Sequence, residues 1–286
     1  MRGILAVAAL AAAPLIAQQP VAPGGRATFE FWNVSYVVPA GWQLGQQVGR
    51  VHTLMTPAAM QGPVIYVAPG MHQSFNDAGA DLSKGFTALG LTGTPTSQPV
   101  ASTIGGMQAM TADYLAQSQM GLALQAHAVS VLTPHGTGLL VLGFAPAYQP
   151  GEMAAAVDRI AQSLQVAGPP QPNPQAVAAL RGRWMYYAGR ASGVTSATGG
   201  ASNSYEEFVE FDGVGRFTYQ SSASVSVTTP GLTGTAGGAQ AQNDEGTYTV
   251  IGTTLVVRGR QGQASFDLQI LPDRVIADGR TYLRAN

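Results

Sequence analysis

Hydrophobic and polar positions divide the chain into two regions with different periodicities. Between residues 29 and 166, short alternating stretches that predict strands are interrupted twice by apolar positions three or four residues apart, which predict helices. The first helical stretch extends from Ser74 to Leu89, and the second includes Met153 to Leu164. After residue 181 an alternating pattern continues with short breaks to the C-terminus, so the second region is predicted to be all β.

Residues 166–176, with the sequence VAGPPQPNPQA, separate the two regions. The segment contains four prolines and lacks hydrophobic periodicity, which is typical of an extended, semi-rigid spacer. We therefore assign residues 26–166 to a first domain, residues 167–176 to a proline-rich linker and residues 177–286 to a second domain.

The first domain is predicted to be an antiparallel sheet covered by two helices, which is an α+β architecture. Its phrase VSYVVPAGW, at residues 34–42, and its order of strands and helices resemble the PsbP-like fold of extrinsic photosystem proteins and their bacterial relatives. Members of that fold mostly serve as binding or assembly modules. The resemblance thus implies a role of that kind and supplies no catalytic residues.

The second domain contains about eight short strands separated by turns, which predicts a closed or nearly closed antiparallel barrel. Gly182 and Trp184 on its first strand, with Arg284 on its last, resemble the pattern of lipocalin-like (calycin-type) barrels. In that family a first-strand tryptophan packs across the barrel floor beneath an arginine of the final strand. The resemblance implies that Trp184 forms the floor and that Arg284, in preference to Arg280, is its partner.

A small barrel of this kind either encloses a ligand cavity or is filled by its own side chains. Both alternatives use the same inward-facing residues, and the predicted ligand-binding lining is Trp184, Phe211, Phe217, Tyr219 and Tyr248. If a cavity exists, affinity would come mainly from buried apolar area, with one or two polar groups orienting the ligand.

The N-terminal stretch MRGILAVAALAAAPLIA, residues 1–17, has one early cation, an apolar run and then a small residue. This arrangement is typical of a secretory signal peptide, and it is shorter than the roughly 20 residues that a membrane-spanning helix needs. A retained signal anchor is the alternative. We expect a secreted or periplasmic protein that does not span the membrane after signal cleavage.

Composition excludes several classes of function. The chain has no cysteine, which rules out disulfides, zinc–thiolate sites and cysteine nucleophiles. Charged residues make up 10% of the chain, against about 25% in a typical soluble domain, and the net charge is −1. Without a basic patch, we expect no nucleic-acid partner.

Histidines and catalytic motifs point to no active site. His52, His72, His127 and His135 are scattered without the spacing of metal ligands, and we interpret them as surface or edge residues. The chain also lacks a serine-nucleophile signature. We therefore predict no catalytic residues, no metal and no cofactor.

Acidic residues cluster on one predicted strand of the barrel, at Glu206, Glu207, Glu210 and Asp212. Paired carboxylates can act as acid and base or bind calcium. Because side chains alternate along a strand, Glu206 and Glu210 share one face, and Glu207 shares the other with apolar residues. We interpret the outer carboxylates as solvating the strand and Asp212 as beginning a turn.

Taken together, these patterns predict an exported, non-enzymatic protein that binds a small apolar ligand or an envelope protein. Two alternatives remain. One is a structural or assembly factor that acts only through protein contacts, and the other is an extracytoplasmic hydrolase.

Overall fold

The structure is a computed structural model that describes residues 23–57, 62–118, 121–146, 150–191, 200–229, 232–234 and 242–285. The predicted signal peptide, residues 1–17, lies outside these ranges. Within them the chain forms three antiparallel sheets, three α-helices and one short 3-10 helix. Searching the same residues reveals no helix with the length and apolar character needed to cross a membrane.

The first region contains two helices and the strands of two sheets. In chain order these are β1 (Arg26–Phe29), the 3-10 helix (Glu30–Trp32), β2 (Val34–Val37), β3 (Gln43–Leu44), β4 (His52–Met55), β5 (Val64–Gly70), α1 (Phe75–Ala88), β6 (Leu91–Pro95), β7 (Val100–Ile104), β8 (Met107–Ser118), β9 (Ala123–Leu132), β10 (Gly138–Pro146), α2 (Pro150–Gln162) and β11 (Gln165–Val166). The larger sheet has the order β3-β4-β5-β10-β9-β8-β6, with β7 also paired to β8, and the smaller has the order β1-β2-β11.

The two helices cover opposite faces of the larger sheet. Side chains alternate along its central strand β10, so Leu139 and Val141 pack in the core beneath α2, whereas Leu140 and Leu142 pack in the core beneath α1. The smaller sheet adds its apolar residues to the α2 side. The predicted architecture, an antiparallel sheet covered by two helices, is confirmed.

The second region consists of a short helix followed by a barrel. Its elements are α3 (Pro174–Ala179), β12 (Gly182–Ala191), β13 (Gly200–Phe211), β14 (Arg216–Thr229), β15 (Leu232–Gly234), β16 (Gln242–Ile251), β17 (Thr254–Gly259), β18 (Gly262–Ile270), β19 (Arg274–Ala277) and β20 (Arg280–Arg284). Eight strands pair in the order β12-β13-β14-β16-β17-β18-β19-β20, and β20 pairs again with β12, which closes the ring. The predicted all-β antiparallel barrel is confirmed.

The proline-rich segment forms backbone hydrogen bonds with both regions. The Gln171 N–H donates to the Phe31 carbonyl at 2.6 Å, and the Asn173 N–H donates to the Val250 carbonyl of β16, also at 2.6 Å. The regions also meet directly, because barrel residues Ile251 and Val256 pack within the core of the first region. The linker thus follows a surface between two regions that share a hydrophobic core.

Three of the four histidines are buried, which corrects their interpretation as surface or edge residues. His52, His72 and His127 are buried, and His135 is exposed. Burial is tolerated because each ring has hydrogen-bond partners on other elements, which the spacing of histidines in the sequence does not indicate. These partners are Tyr36 and Gln47 for His52, Asp81 for His72, and Asp113 and Asp158 for His127.

His52 makes the first region sensitive to mild acid. Its ring stacks on Phe29 with centroids 3.9 Å apart, and its Nδ1 lies 3.0 Å from the Tyr36 hydroxyl. Burial lowers the pKa of His52 to about 4, against about 6.5 in an unfolded chain. Between these values the unfolded state binds a proton that the folded state does not, so stability falls as the pH falls.

We expect this histidine to remove about 3 kcal/mol from the free energy of unfolding between neutral pH and about pH 4. Urea unfolding of the wild type and of His52→Gln across this range measures the contribution, which the variant should lack. His135→Gln, at an exposed histidine, is the matched control and should retain the wild-type slope. An identical pH dependence in His52→Gln and the wild type would contradict the prediction.

Candidate functional site

The interior of the barrel contains a cavity of about 340 Å³ that is partly open to solvent. This volume lies within the range of roughly 300–1,000 Å³ that is typical of small-molecule sites. Most of the lining is apolar, formed by Trp184, Val209, Phe211, Phe217, Leu255, Val257, Phe266, Val275 and Ala277. The polar lining consists of Glu207, Tyr219, Gln242, Asp244, Gln261, Arg280 and Tyr282.

Trp184 closes one end of the cavity. Its side chain is buried, and its indole N–H donates to the Leu180 carbonyl at 2.7 Å, just after α3. Pairing of β12 with β20 sets Trp184 opposite Arg284, whose guanidinium carbon lies 4.9 Å from the ring centroid. Gly182 has a φ of +123°, a conformation that glycine adopts without strain. The structure thus places the three predicted floor residues together.

Four of the five predicted lining residues face the cavity, and Tyr248 does not. Its ring packs edge-on against Phe211 with centroids 4.6 Å apart. Its hydroxyl donates to the Val177 carbonyl of α3 at 3.0 Å. Tyr248 therefore belongs to the packed end of the barrel that α3 covers.

Glu207 is the buried carboxylate of the cavity, and the residue is 3% exposed. The alternation of β13 turns it inward with Val209 and Phe211, while Glu206 lies on the opposite face. The carboxylates of the acidic cluster are therefore not all solvated, because Glu207 is buried. The sequence signal for an inward-facing Glu207 was that it alternates in step with Val209 and Phe211 along the strand.

Donors from two other strands, β14 and β20, and from β13 itself surround this carboxylate. Glu207 Oε1 accepts hydrogen bonds from the Tyr205 hydroxyl at 2.6 Å and from Arg280 Nη1 at 3.0 Å, and Oε2 accepts one from the Tyr282 hydroxyl at 2.7 Å. The Tyr219 hydroxyl lies 3.4 Å from Oε1. Burial, together with these hydrogen bonds to Glu207, raises the pKa of Tyr205 and Tyr282 well above the usual value, so both hydroxyls remain donors at neutral pH.

The cavity has an apolar end and a polar end. Register pairs Trp184 with Val209, so Glu207 lies two residues further along β13 from the floor. On β20, Arg280 precedes the floor residue Arg284 by four positions. A ligand would therefore meet apolar side chains near the floor and the polar cluster at the opposite end.

In the residues that the structure describes, no group of three or more His, Cys, Asp or Glu side chains is arranged to hold a metal ion. The contacts of Glu207 come from hydroxyl and guanidinium donors. This arrangement fixes a carboxylate in place, where it can accept a further hydrogen bond or pair with a cation.

No protein-family model matches the chain, and a search of curated proteins found no match. Similar solved structures include cyanobacterial PsbP (CyanoP) from Synechocystis sp. PCC 6803, at 14% identity over 49% of this chain and 91% of that one, with a TM-score of 0.36. LpqN of Mycobacterium tuberculosis, involved in cell envelope biogenesis, has 17% identity over 51% and 88% of the two chains and a TM-score of 0.35.

A third structure, of a protein from Bacteroides thetaiotaomicron VPI-5482, has 12% identity over 57% of this chain and 51% of that one, with a TM-score of 0.34. Similarity at this level carries no conclusion about function. The PsbP-like resemblance has a counterpart among these structures, and the lipocalin-like assignment of the barrel stays a prediction.

Proposed function

We propose that the C-terminal barrel binds a small apolar molecule. The observation that carries the proposal is the cavity of about 340 Å³, open to solvent at its polar side, in which nine of sixteen lining residues are apolar. A barrel filled by its own side chains would leave no such space. Cavities that combine an apolar lining with a few convergent polar groups are the usual form of a small-molecule site.

The proposal describes a non-enzymatic carrier or sensor outside the cytoplasm. The signal-peptide pattern of residues 1–17 supports this location. The contacts of Glu207 support a fixed polar group that orients a ligand, because within the described part of the chain its hydrogen-bond partners, tyrosines and an arginine, hold the carboxylate in place.

Binding of N-phenyl-1-naphthylamine tests this function directly. The probe is neutral and apolar, and its fluorescence increases when it leaves water. We expect saturable binding to the purified wild type with a Kd on the order of micromolar, as suits a ligand of this size. The absence of saturable binding would contradict the proposal and favour the assembly-factor alternative.

A matched pair of variants locates the bound probe. Val209 lines the cavity, and its neighbour Phe208 lies on the outer face, where its ring meets the guanidinium of Arg183. Val209→Trp should weaken probe binding at least about tenfold by filling the cavity, and Phe208→Trp should change it less than about twofold. Circular dichroism confirms that both variants fold. Equal binding to the two variants would place the probe elsewhere.

A further inference from the structure

We propose that the cavity selects apolar molecules whose polar end is a hydrogen-bond donor, an alcohol or an amine, over those that end in a carboxylate. This inference rests on the proposed binding function and adds the chemical class of the ligand. Glu207 determines the selectivity because its carboxylate lines the part of the cavity where the polar end of a ligand would bind.

Glu207 has an open hydrogen-bond acceptor position on one of its carboxylate oxygens. An ionised carboxylate is an acceptor only, and each of its oxygens can accept about two hydrogen bonds. Among the residues that the structure describes, Oε2 accepts one, from Tyr282, whereas Oε1 has Tyr205 and Arg280 as donors at 3.0 Å or less. A ligand hydroxyl or ammonium group can therefore donate to Oε2.

A ligand carboxylate would need hydrogen-bond donors, and those of the lining are engaged or exposed to water. The Tyr219 hydroxyl lies 3.4 Å from Glu207 Oε1, and Gln242 and Gln261 are exposed. A tyrosine hydroxyl has one hydrogen, and Tyr205 and Tyr282 both donate theirs to Glu207. The Arg280 guanidinium is paired with Glu207 through Nη1. Because the Arg280 side chain is 56% exposed, water competes for its other N–H groups.

The net charge of the cavity lining disfavours a ligand carboxylate. The charged residues that line the cavity are Glu207, Asp244 and Arg280, which sum to −1. A carboxylate entering this space would be repelled by the buried Glu207 carboxylate, whereas water screens the half-exposed Asp244 and the exposed Arg280. An ammonium group would be attracted by the same charges, and an alcohol would meet no such repulsion.

The polar end of the cavity also fixes the orientation of the ligand. Glu207 and Arg280 lie away from the floor residue Trp184, so the apolar chain of a ligand would extend towards the indole. The donor at its other end would then lie beside Glu207 Oε2.

Competition between three ligands of equal chain length tests the selectivity. Decylamine, decan-1-ol and decanoate are titrated at neutral pH against wild-type protein carrying N-phenyl-1-naphthylamine. The two ionic ligands are kept below their micelle concentrations, and decan-1-ol is kept below its solubility limit. We expect decylamine and decan-1-ol to displace the probe at concentrations at least about tenfold lower than decanoate does. Decanoate displacing the probe as well as the other two would overturn the proposal.

Glu207→Gln removes the charge while preserving the shape, and Glu206→Gln removes the same charge from the opposite face of β13. Glu207→Gln should reduce the preference for decylamine over decanoate by at least about tenfold, and Glu206→Gln should leave it within about twofold. An unchanged ranking in a folded Glu207→Gln variant would overturn the proposal.

The outcomes for function and selectivity are separable. Failure of the wild type to take up the probe contradicts the binding function itself, whereas uptake without selection against decanoate contradicts the ligand class alone. The ranking in the wild type decides the selectivity even if Glu207→Gln fails to fold.

Discussion

Replacing Trp184 with alanine should lower the free energy of unfolding of the barrel by about 3–5 kcal/mol. The indole is buried in the barrel core, so its removal leaves a void where the cavity is now closed. The variant also loses the hydrogen bond to the Leu180 carbonyl and the contact with the Arg284 guanidinium. Urea unfolding followed by circular dichroism measures the loss without depending on tryptophan fluorescence.

Two further variants test whether the loss in Trp184→Ala comes from the burial of the side chain or from any substitution on this strand. Trp184→Phe keeps an aromatic ring and loses the N–H donor, so it should be less destabilising than alanine, by roughly 1–3 kcal/mol relative to the wild type. Tyr187→Ala removes an exposed aromatic side chain from the same strand β12 and should change stability by less than about 0.5 kcal/mol. A loss below about 1 kcal/mol in Trp184→Ala would show that the tryptophan is peripheral.

Features with a local signal could be predicted from the sequence. Helices α1 and α2 follow from apolar positions at helical spacing, and Ser74 with Asp77 forms the capping box that begins α1. The barrel follows from short alternating strands between turns. Alternation gives the face on which a side chain lies, but not its height in the barrel. For this reason the predicted cavity lining included Tyr248. In the structure Tyr248 lies at the packed end of the barrel, against α3.

Features that depend on pairing over long separations could not be predicted. Glu207 is in phase with Val209 and Phe211, but its donors Arg280 and Tyr282 lie 73 and 75 residues away in sequence. They become neighbours only when the eight strands close. A carboxylate without visible partners is normally solvated, because burying an unpaired charge is costly. The same limit applies to the buried histidines, whose hydrogen-bond partners lie elsewhere in the fold.

Arg50→Met should be the most destabilising substitution at the junction between the two regions, costing about 3 kcal/mol or more. The Arg50 side chain is 14% exposed, and its Nη1 lies 2.9 Å from Asp81 Oδ2 in α1 and 2.7 Å from the Pro69 carbonyl. Its Nε lies 2.7 Å from Asp267 Oδ1 in the barrel strand β18. Methionine preserves much of the length but leaves the Asp81 carboxylate largely buried, with His72 as its remaining side-chain hydrogen-bond partner among the described residues.

Arg50 pairs with Asp81, which is largely buried, and with Asp267, which is exposed. Substituting Asp267 alone therefore distinguishes the contributions of the two pairs. Asp267 is 54% exposed, so Asp267→Asn should cost about 1 kcal/mol or less, because water screens that pair. If Asp267→Asn proves as destabilising as Arg50→Met in urea unfolding, the contact between regions would dominate, and the assignment of the effect to Asp81 would be wrong.

The dependence on pH provides an independent test of the same interaction. Burial alone would raise the pKa of the Asp81 carboxyl, but the hydrogen bond from His72 and the charge of Arg50 outweigh burial and hold that pKa well below its usual range. A lowered pKa in the folded state stabilises the protein above the unfolded pKa of about 4, and this contribution is lost as the pH falls further. Without Arg50 the folded-state pKa of Asp81 rises. The stability difference between the wild type and Arg50→Met should therefore be largest near neutral pH and shrink below about pH 4, and a constant difference across that range would exclude Asp81 as its source.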